Sequence, residues 1–248
     1  MRQAPRCPGR APVPGPACEV PVRVLQSLLS LLFVSLLLLG VWWFVDHSVS
    51  RGLRMGEAAE QASSRLFHPE ARVATLAIYG HMVLGGLLTL LAPLQLLGVV
   101  RRRWPSIHRG LGYAVAGLAL ATGAGGLLYI LGQGTVGGPW MSVGFGLYGL
   151  LLMLTAARTV TLARSRDPAH RAWAGRLVIL ALGSWIYRMH YGLWHATTGG
   201  LATADDFSGT FDRVQVFAFY LPYLLLFEIL RRLWRPWRRS AALTARRA

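Results

Sequence analysis

No lysine occurs anywhere in this chain: all 26 basic residues are arginine, set against only 10 acidic ones. No single site would demand arginine everywhere, so the bias reads as GC-rich coding. Carboxylates are almost absent from the apolar stretches. A proton- or cation-coupled transporter usually needs one near the membrane midplane, so that class is not offered. Cysteine is scarce too, and Cys7 and Cys18 both lie in an Arg/Pro-rich N-terminal stretch. No CxxC, CxxCH or zinc-ligand spacing exists, which excludes a disulfide framework, covalent c-type haem attachment and a zinc finger. Pro16-Ala17-Cys18 is not a lipoprotein signal, because polar residues precede it. Walker, GxGxxG, HExxH and GxSxG patterns are missing, and no metal site is expected.

What the chain has is apolar length. Of its 248 residues 54% are hydrophobic and 15% charged, with the apolar residues in long blocks. A net charge of +16 would suggest nucleic acid in a soluble protein. Here the arginines sit between and after apolar blocks, as in a membrane protein that orients itself by charge, and no nucleic-acid partner is expected. Residues 1–23 read as a disordered basic tail. Six blocks follow, at about 24–45, 73–100, 111–131, 140–162, 174–195 and 214–230. Each meets or approaches the roughly 20 residues that cross about 30 Å of hydrocarbon. The first is too long for a cleavable signal and reads as a signal anchor. The expected fold is an all-α polytopic bundle over 24–234, with helices two to five as a four-helix core and a basic tail over 235–248. Its partner is the lipid bilayer.

Loop charge sets the orientation. The connections around Arg101–Arg109 and Arg164–Arg171 and the C-terminal tail are basic. Those at 47–72, 133–139 and 197–212 are balanced, uncharged or acidic. Every second connection is therefore basic, which puts both termini in the cytoplasm of a bacterial inner membrane. On the third helix Gly117, Ala121 and Gly125 form a small-xxx-small track that lets another backbone approach.

Two inner turns read alike: Arg103-Trp104-Pro105-Ser106-Ile107-His108-Arg109 and Arg166-Asp167-Pro168-Ala169-His170-Arg171. Helices two and three thus look like a parallel repeat of helices four and five. Either the turns share a capping and anchoring role, or His108 and His170, with Arg109 and Arg171 beside them, work as a pair. His108-Arg109-x-x-Gly112-Tyr113 and His170-Arg171-x-Trp173-x-x-Arg176 resemble an uncharacterised bacterial family of membrane proteins, catalogued as a domain of unknown function. The resemblance covers roughly residues 75–195. It implies fold and location and brings no established activity.

Ionisable groups at bilayer depth are functional candidates by default. Ser184, Arg188, Tyr191 and His195 fall on one face of the fifth helix. Arg188 lies about two turns from the outer end, so it either snorkels outward or helps form a polar site. His81, near the outer end of helix two with Gly85 and Gln95 on roughly its face, is the group that would complete such a pocket for a small hydrophobic or anionic ligand. His190 falls off that stripe, beside Trp194. Glu228 lies next to Arg231 and Arg232 and reads as an interfacial ion pair. Histidines at both surfaces are similar in plan to transmembrane dihaem cytochromes b, which implies haem b as a cofactor, with His108 and His170 among the ligands. Helix four, however, has no histidine. Two functions stay open: a haem- or quinone-linked redox subunit, and a non-enzymatic structural or small-molecule-binding membrane protein.

Overall fold

The structure is a computed structural model, and it describes residues 16–233. Among these every regular element is helical. The first helix, α1, runs Pro16–Leu53. At 1.5 Å per residue its 38 residues extend about 57 Å, well beyond the hydrocarbon layer. It takes in residues 16–23, which the sequence pattern assigned to a disordered tail; the rest of that tail and the C-terminal one lie outside the described residues. A short helix α2 (Ala58–Ser63) follows, then α3 (Arg72–Leu91). A 3-10 segment over Ala92–Leu96, with Pro93 at its start, ends α3 before the expected 100. Proline cannot donate into the ladder, so the chain tightens there and resumes as α4 (Gly98–Arg103). Next come α5 (Pro105–Gln133), α6 (Gly138–Arg164), α7 (His170–Ala181), α8 (Gly183–Thr198) and α9 (Thr210–Ala218). The chain is helical again over 221–233.

Five of these stretches are long and apolar enough to cross a membrane: Val24–Gly56, Arg72–Leu96, Pro105–Gln133, Gly138–Arg164 and Thr210–Leu233. The expected fifth block, 174–195, is instead two helices meeting at Leu182, neither of spanning length by itself. A break in apolar surroundings must rehouse its backbone groups. Here the neighbours do so. The Tyr148 hydroxyl on α6 donates to the Leu180 carbonyl at 2.5 Å, and the Thr89 hydroxyl on α3 donates to the Ala181 carbonyl at 3.0 Å. Gly183 sits just past the break because a Cβ there would meet the Tyr148 ring at 2.8 Å.

The core joins α3, α5, α6 and α7 through Leu88, Val115, Ala119, Leu152 and Leu180, with Phe219 and Tyr220 filling it from the last crossing. Helix α1 packs on α3 and shows Leu28, Leu32, Leu36, Leu39 and Trp43 outward. That apolar outer face suits lipid. Association among such helices rests on close packing rather than on water exclusion, and small residues set it. A Cβ on Gly86 would meet Val49 of α1 at 2.7 Å, and one on Gly125 would meet the Ala77 carbonyl of α3 at 2.9 Å. Of the expected small-residue track only Gly125 does this, since Gly117 has open space beside it and Ala121 is exposed.

Candidate functional site

The break at Leu182 re-aims α8. Its close backbone approaches are to α7 and α9, while α3, α5 and α6 stay packed as a group. Between them lies a hollow of about 780 Å³, within the range that takes small molecules. It extends to the end of the bundle that carries the loops 57–71, 134–137 and 199–209, since Leu66, Thr135 and Phe207 all line it.

His81, Arg188, Tyr191 and His195 all border this hollow, with Ser184. Helix α8 supplies its residues at steps of four, three and four, so they form one stripe. The His81 ring donates Nδ1–H to the Thr122 carbonyl on α5 at 2.8 Å. A carbonyl can only accept, so this bond fixes the tautomer and leaves Nε2 with its lone pair. Nε2 meets no donor among the described residues.

The Arg188 Nη1 donates to the Ser184 carbonyl at 3.2 Å, one turn back along α8, and its guanidinium lies over the Phe44 ring of α1 at 4.9 Å. The side chain is exposed and borders the hollow. No carboxylate among the described residues comes within ion-pair distance, and no other N–H of the guanidinium finds an acceptor there. Its charge is within electrostatic reach of His81. A guanidinium so placed is costly unless something joins it.

Three further residues belong to the site. Thr122 is buried and lines the hollow, and its hydroxyl oxygen has no hydrogen-bond partner among the described residues. Tyr187 donates to the Tyr191 hydroxyl at 3.4 Å, which donates in turn to Asp212 Oδ1 at 2.6 Å. Asp212 is fully buried and its Oδ2 accepts from the backbone N–H of Ala204 (2.9 Å) and Gly209 (3.0 Å). It thereby shapes the loop whose Thr203, Asp205 and Phe207 roof the hollow. The loop turns sharply, with left-handed backbone at Gly199, Gly200, Ala202 and Phe207. Sequence reasoning used Asp212 only as loop charge. The signal was Gly209-x-x-Asp212 ahead of an apolar run, half of a capping box. Nothing local marked Thr122.

His190, beside the stripe, bridges elements instead: its ring bonds Gln215 of α9 at 3.1 Å and the Tyr223 hydroxyl at 2.7 Å. Glu228 pairs with Arg231 at 2.7 Å as expected, but its second partner is Arg176 of α7 at 2.6 Å, not Arg232.

The turn histidines lie at the opposite end, away from the hollow. Both occupy the first turn of a helix, and His108 has His170 and Arg101 within electrostatic reach. His170 donates Nδ1–H to the Asp167 carbonyl at 3.1 Å, while His108 Nδ1 is buried with no partner. Arg109 and Arg171 are exposed. The two turns differ in build, since α4 occupies the first and only a tight turn the second.

The family model described as "Predicted membrane protein (DUF2306)" matches residues 78–230, from within α3 into the last crossing, and takes in His81, Thr122, Ser184, Arg188, Tyr191, His195 and Asp212. No curated protein matches, and no solved structure matches. The likeness in plan to dihaem cytochromes b finds no support among these comparisons.

Proposed function

We propose, for a chain that belongs to this DUF2306 family of predicted membrane proteins, that it is a small-molecule-binding membrane protein. Its hollow takes an amphipathic ligand with an anionic or carbonyl-bearing head. One observation carries this: Arg188 stands over a mostly apolar hollow with no carboxylate partner among the described residues. A cation facing such an apolar hollow is stabilised by a ligand anion, and a guanidinium matches a planar oxyanion in shape as well as charge. The head would sit between Arg188 and His81, with the body along Leu127, Ile130, Phe145 and Leu152.

The same reading places the protein in a bacterial inner membrane with six crossings and both termini in the cytoplasm. The alternating arginine loops support it, with α7 and α8 together serving as the fifth crossing. The hollow then extends toward the outer side.

The binding reading is tested by native mass spectrometry of the protein extracted in mild detergent. A Cβ on Gly192 of α8 meets nothing within 4 Å, and Gly192 lines the hollow, so Gly192→Leu narrows it from a position with open space at Cβ. One adduct per chain is expected for the unaltered protein and none for Gly192→Leu. An adduct that persists in the variant overturns the reading. So does an unaltered protein that carries no adduct and takes up no amphipathic acid from solution.

A further inference from the structure

We propose that the hollow selects an amphipathic monocarboxylate and takes up one proton with it, Arg188 holding the carboxylate and His81 Nε2 the proton. This rests on the binding role just proposed for the hollow and names its ligand class.

The polar groups that face the hollow without a partner form a short inventory. Arg188 offers guanidinium donors and one positive charge. His81 offers the Nε2 lone pair, because Nδ1–H is committed to Thr122. One fixed cation calls for one negative charge. A neutral quinone or alcohol would leave Arg188 uncompensated. A carboxylate satisfies the guanidinium in a planar, two-oxygen geometry. The rest of the lining is aliphatic and aromatic, which suits the hydrocarbon body of such an acid.

The proton follows from the tautomer. With Nε2 as a bare acceptor, His81 would set a lone pair against a carboxylate oxygen. A second positive charge beside Arg188 is repelled, and the carboxylate between them cancels that repulsion. His81 then takes a proton from solvent and Nε2–H becomes a charge-assisted donor to the second oxygen. Anion and proton arrive together and the site gains no net charge.

The other titratable groups around His81 are few. Helix α5 brings Tyr129, α6 brings Tyr148, and α8 brings Tyr187, Tyr191 and His195. The roof loop brings Asp205, and Asp212 is reached through Tyr191. From α1, Arg51 lies within electrostatic reach of Arg188 but is paired with Glu60 at 2.9 Å. Phenols and carboxylates ordinarily titrate outside pH 6–8. His81 and His195 are left, and a variant at His81 tells them apart.

The probe is cis-parinarate, a fluorescent fatty acid, followed by energy transfer from the protein's tryptophans in phosphatidylcholine nanodiscs. Saturable binding is expected, displaced by palmitate at least tenfold better than by methyl palmitate, and weakened at least tenfold in Arg188→Gln. Affinity should rise between pH 8 and pH 6 by up to tenfold per unit. His81→Asn, whose amide can still donate to Thr122, should flatten that rise. Calorimetry of the unaltered protein in two buffers of different ionisation enthalpy should count up to one proton taken up per palmitate, and needs no variant to fold. Equal displacement by the methyl ester overturns the carboxylate but leaves the hollow as a binding site. A wild-type pH slope in His81→Asn, or zero proton uptake, overturns the proton. Unchanged parinarate binding in Gly192→Leu overturns the binding role of the hollow itself.

Discussion

Removing the Asp212 carboxylate should cost more stability than any other single change in the loop over the hollow. Asp212 is 1% exposed and serves three donors: the Tyr191 hydroxyl and the backbone N–H groups of Ala204 and Gly209. Asp212→Ala leaves all three without an acceptor in a site too crowded to supply water to each. A Cβ on Gly209, for instance, would run into the Ala202 carbonyl. An orphaned buried donor costs about 1–3 kcal/mol, so three give about 3–6 kcal/mol once part of the loop resolvates. At roughly 2–4 °C per kcal/mol for a chain of this size, thermal unfolding in detergent should fall by about 10 °C. Asp212→Asn is the informative companion. Its carbonyl oxygen can replace Oδ2 toward both backbone donors, and its amide can donate to the Tyr191 oxygen, so what is lost is the charge and the acceptor of the Tyr191 O–H. That variant should lose about 1–2 kcal/mol. Equal losses for the two would show that the hydrogen bonds do not carry the effect. A fall of less than about 2 °C for Asp212→Ala would refute the reasoning altogether.

Reporter fusions after residues 60, 136 and 204 should report the exterior and those after 105, 167 and 240 the cytoplasm; a cytoplasmic signal at 136 would sink the six-crossing topology. Gly192→Ala should raise the unfolding midpoint by the equivalent of about 1 kcal/mol, since its Cβ meets open space and alanine favours the helix; a drop would mean that the hollow is closed in solution. Acid should weaken the contact between α1 and the segment after it. Burial pushes the Glu60 carboxyl up, but hydrogen bonds from Arg51, Tyr79 and Ser64 and the Arg51 charge outweigh it and hold it below its usual 4.5. The stabilisation is therefore present above pH 4.5 and is lost as pH falls through the lower folded-state value. The unfolding midpoint of the wild type should drop below pH 4.5 and that of Glu60→Gln should drop less; parallel curves would contradict the pairing.

Apolar length made the helices legible, because a bilayer admits little else. The blocks at 111–131 and 140–162 lie within α5 and α6, each a few residues longer at both ends. What length could not show was where a helix bends inside its block. The stop at Ala92 had a local cause in Pro93, while the one at Leu182 had only the weaker Gly183-Ser184 pair. Its carbonyls at Leu180 and Ala181 are captured by Tyr148 and Thr89, residues 34 and 93 positions from Leu182. Asp212 was hidden in the same way, since its three donors come from α8 and the loop before α9.

The stripe on the fifth block kept its register for a physical reason. Ser184, Arg188, Tyr191 and His195 all lie after the break, within one unbroken helix, so counting by 3.6 stays in phase across them. The second block kept its face as well, although a 3-10 segment intervenes. His81 donates to the Thr122 carbonyl, a Cβ on Gly85 would meet Thr122 at 3.5 Å, and Gln95 donates to the His108 carbonyl at 3.3 Å, all on α5. The break therefore acts twice. It swings α8 off the packed core to leave the hollow, and it begins a fresh helical register that aims one arginine, one tyrosine and one histidine into it. In a membrane, a discontinuous helix is tolerated where it borders a cavity. Tyr148 ties the two effects together, because it holds the break through its hydroxyl and walls the hollow with its ring. Tyr148→Phe should thus loosen α7 from α8 while leaving the lining nearly intact.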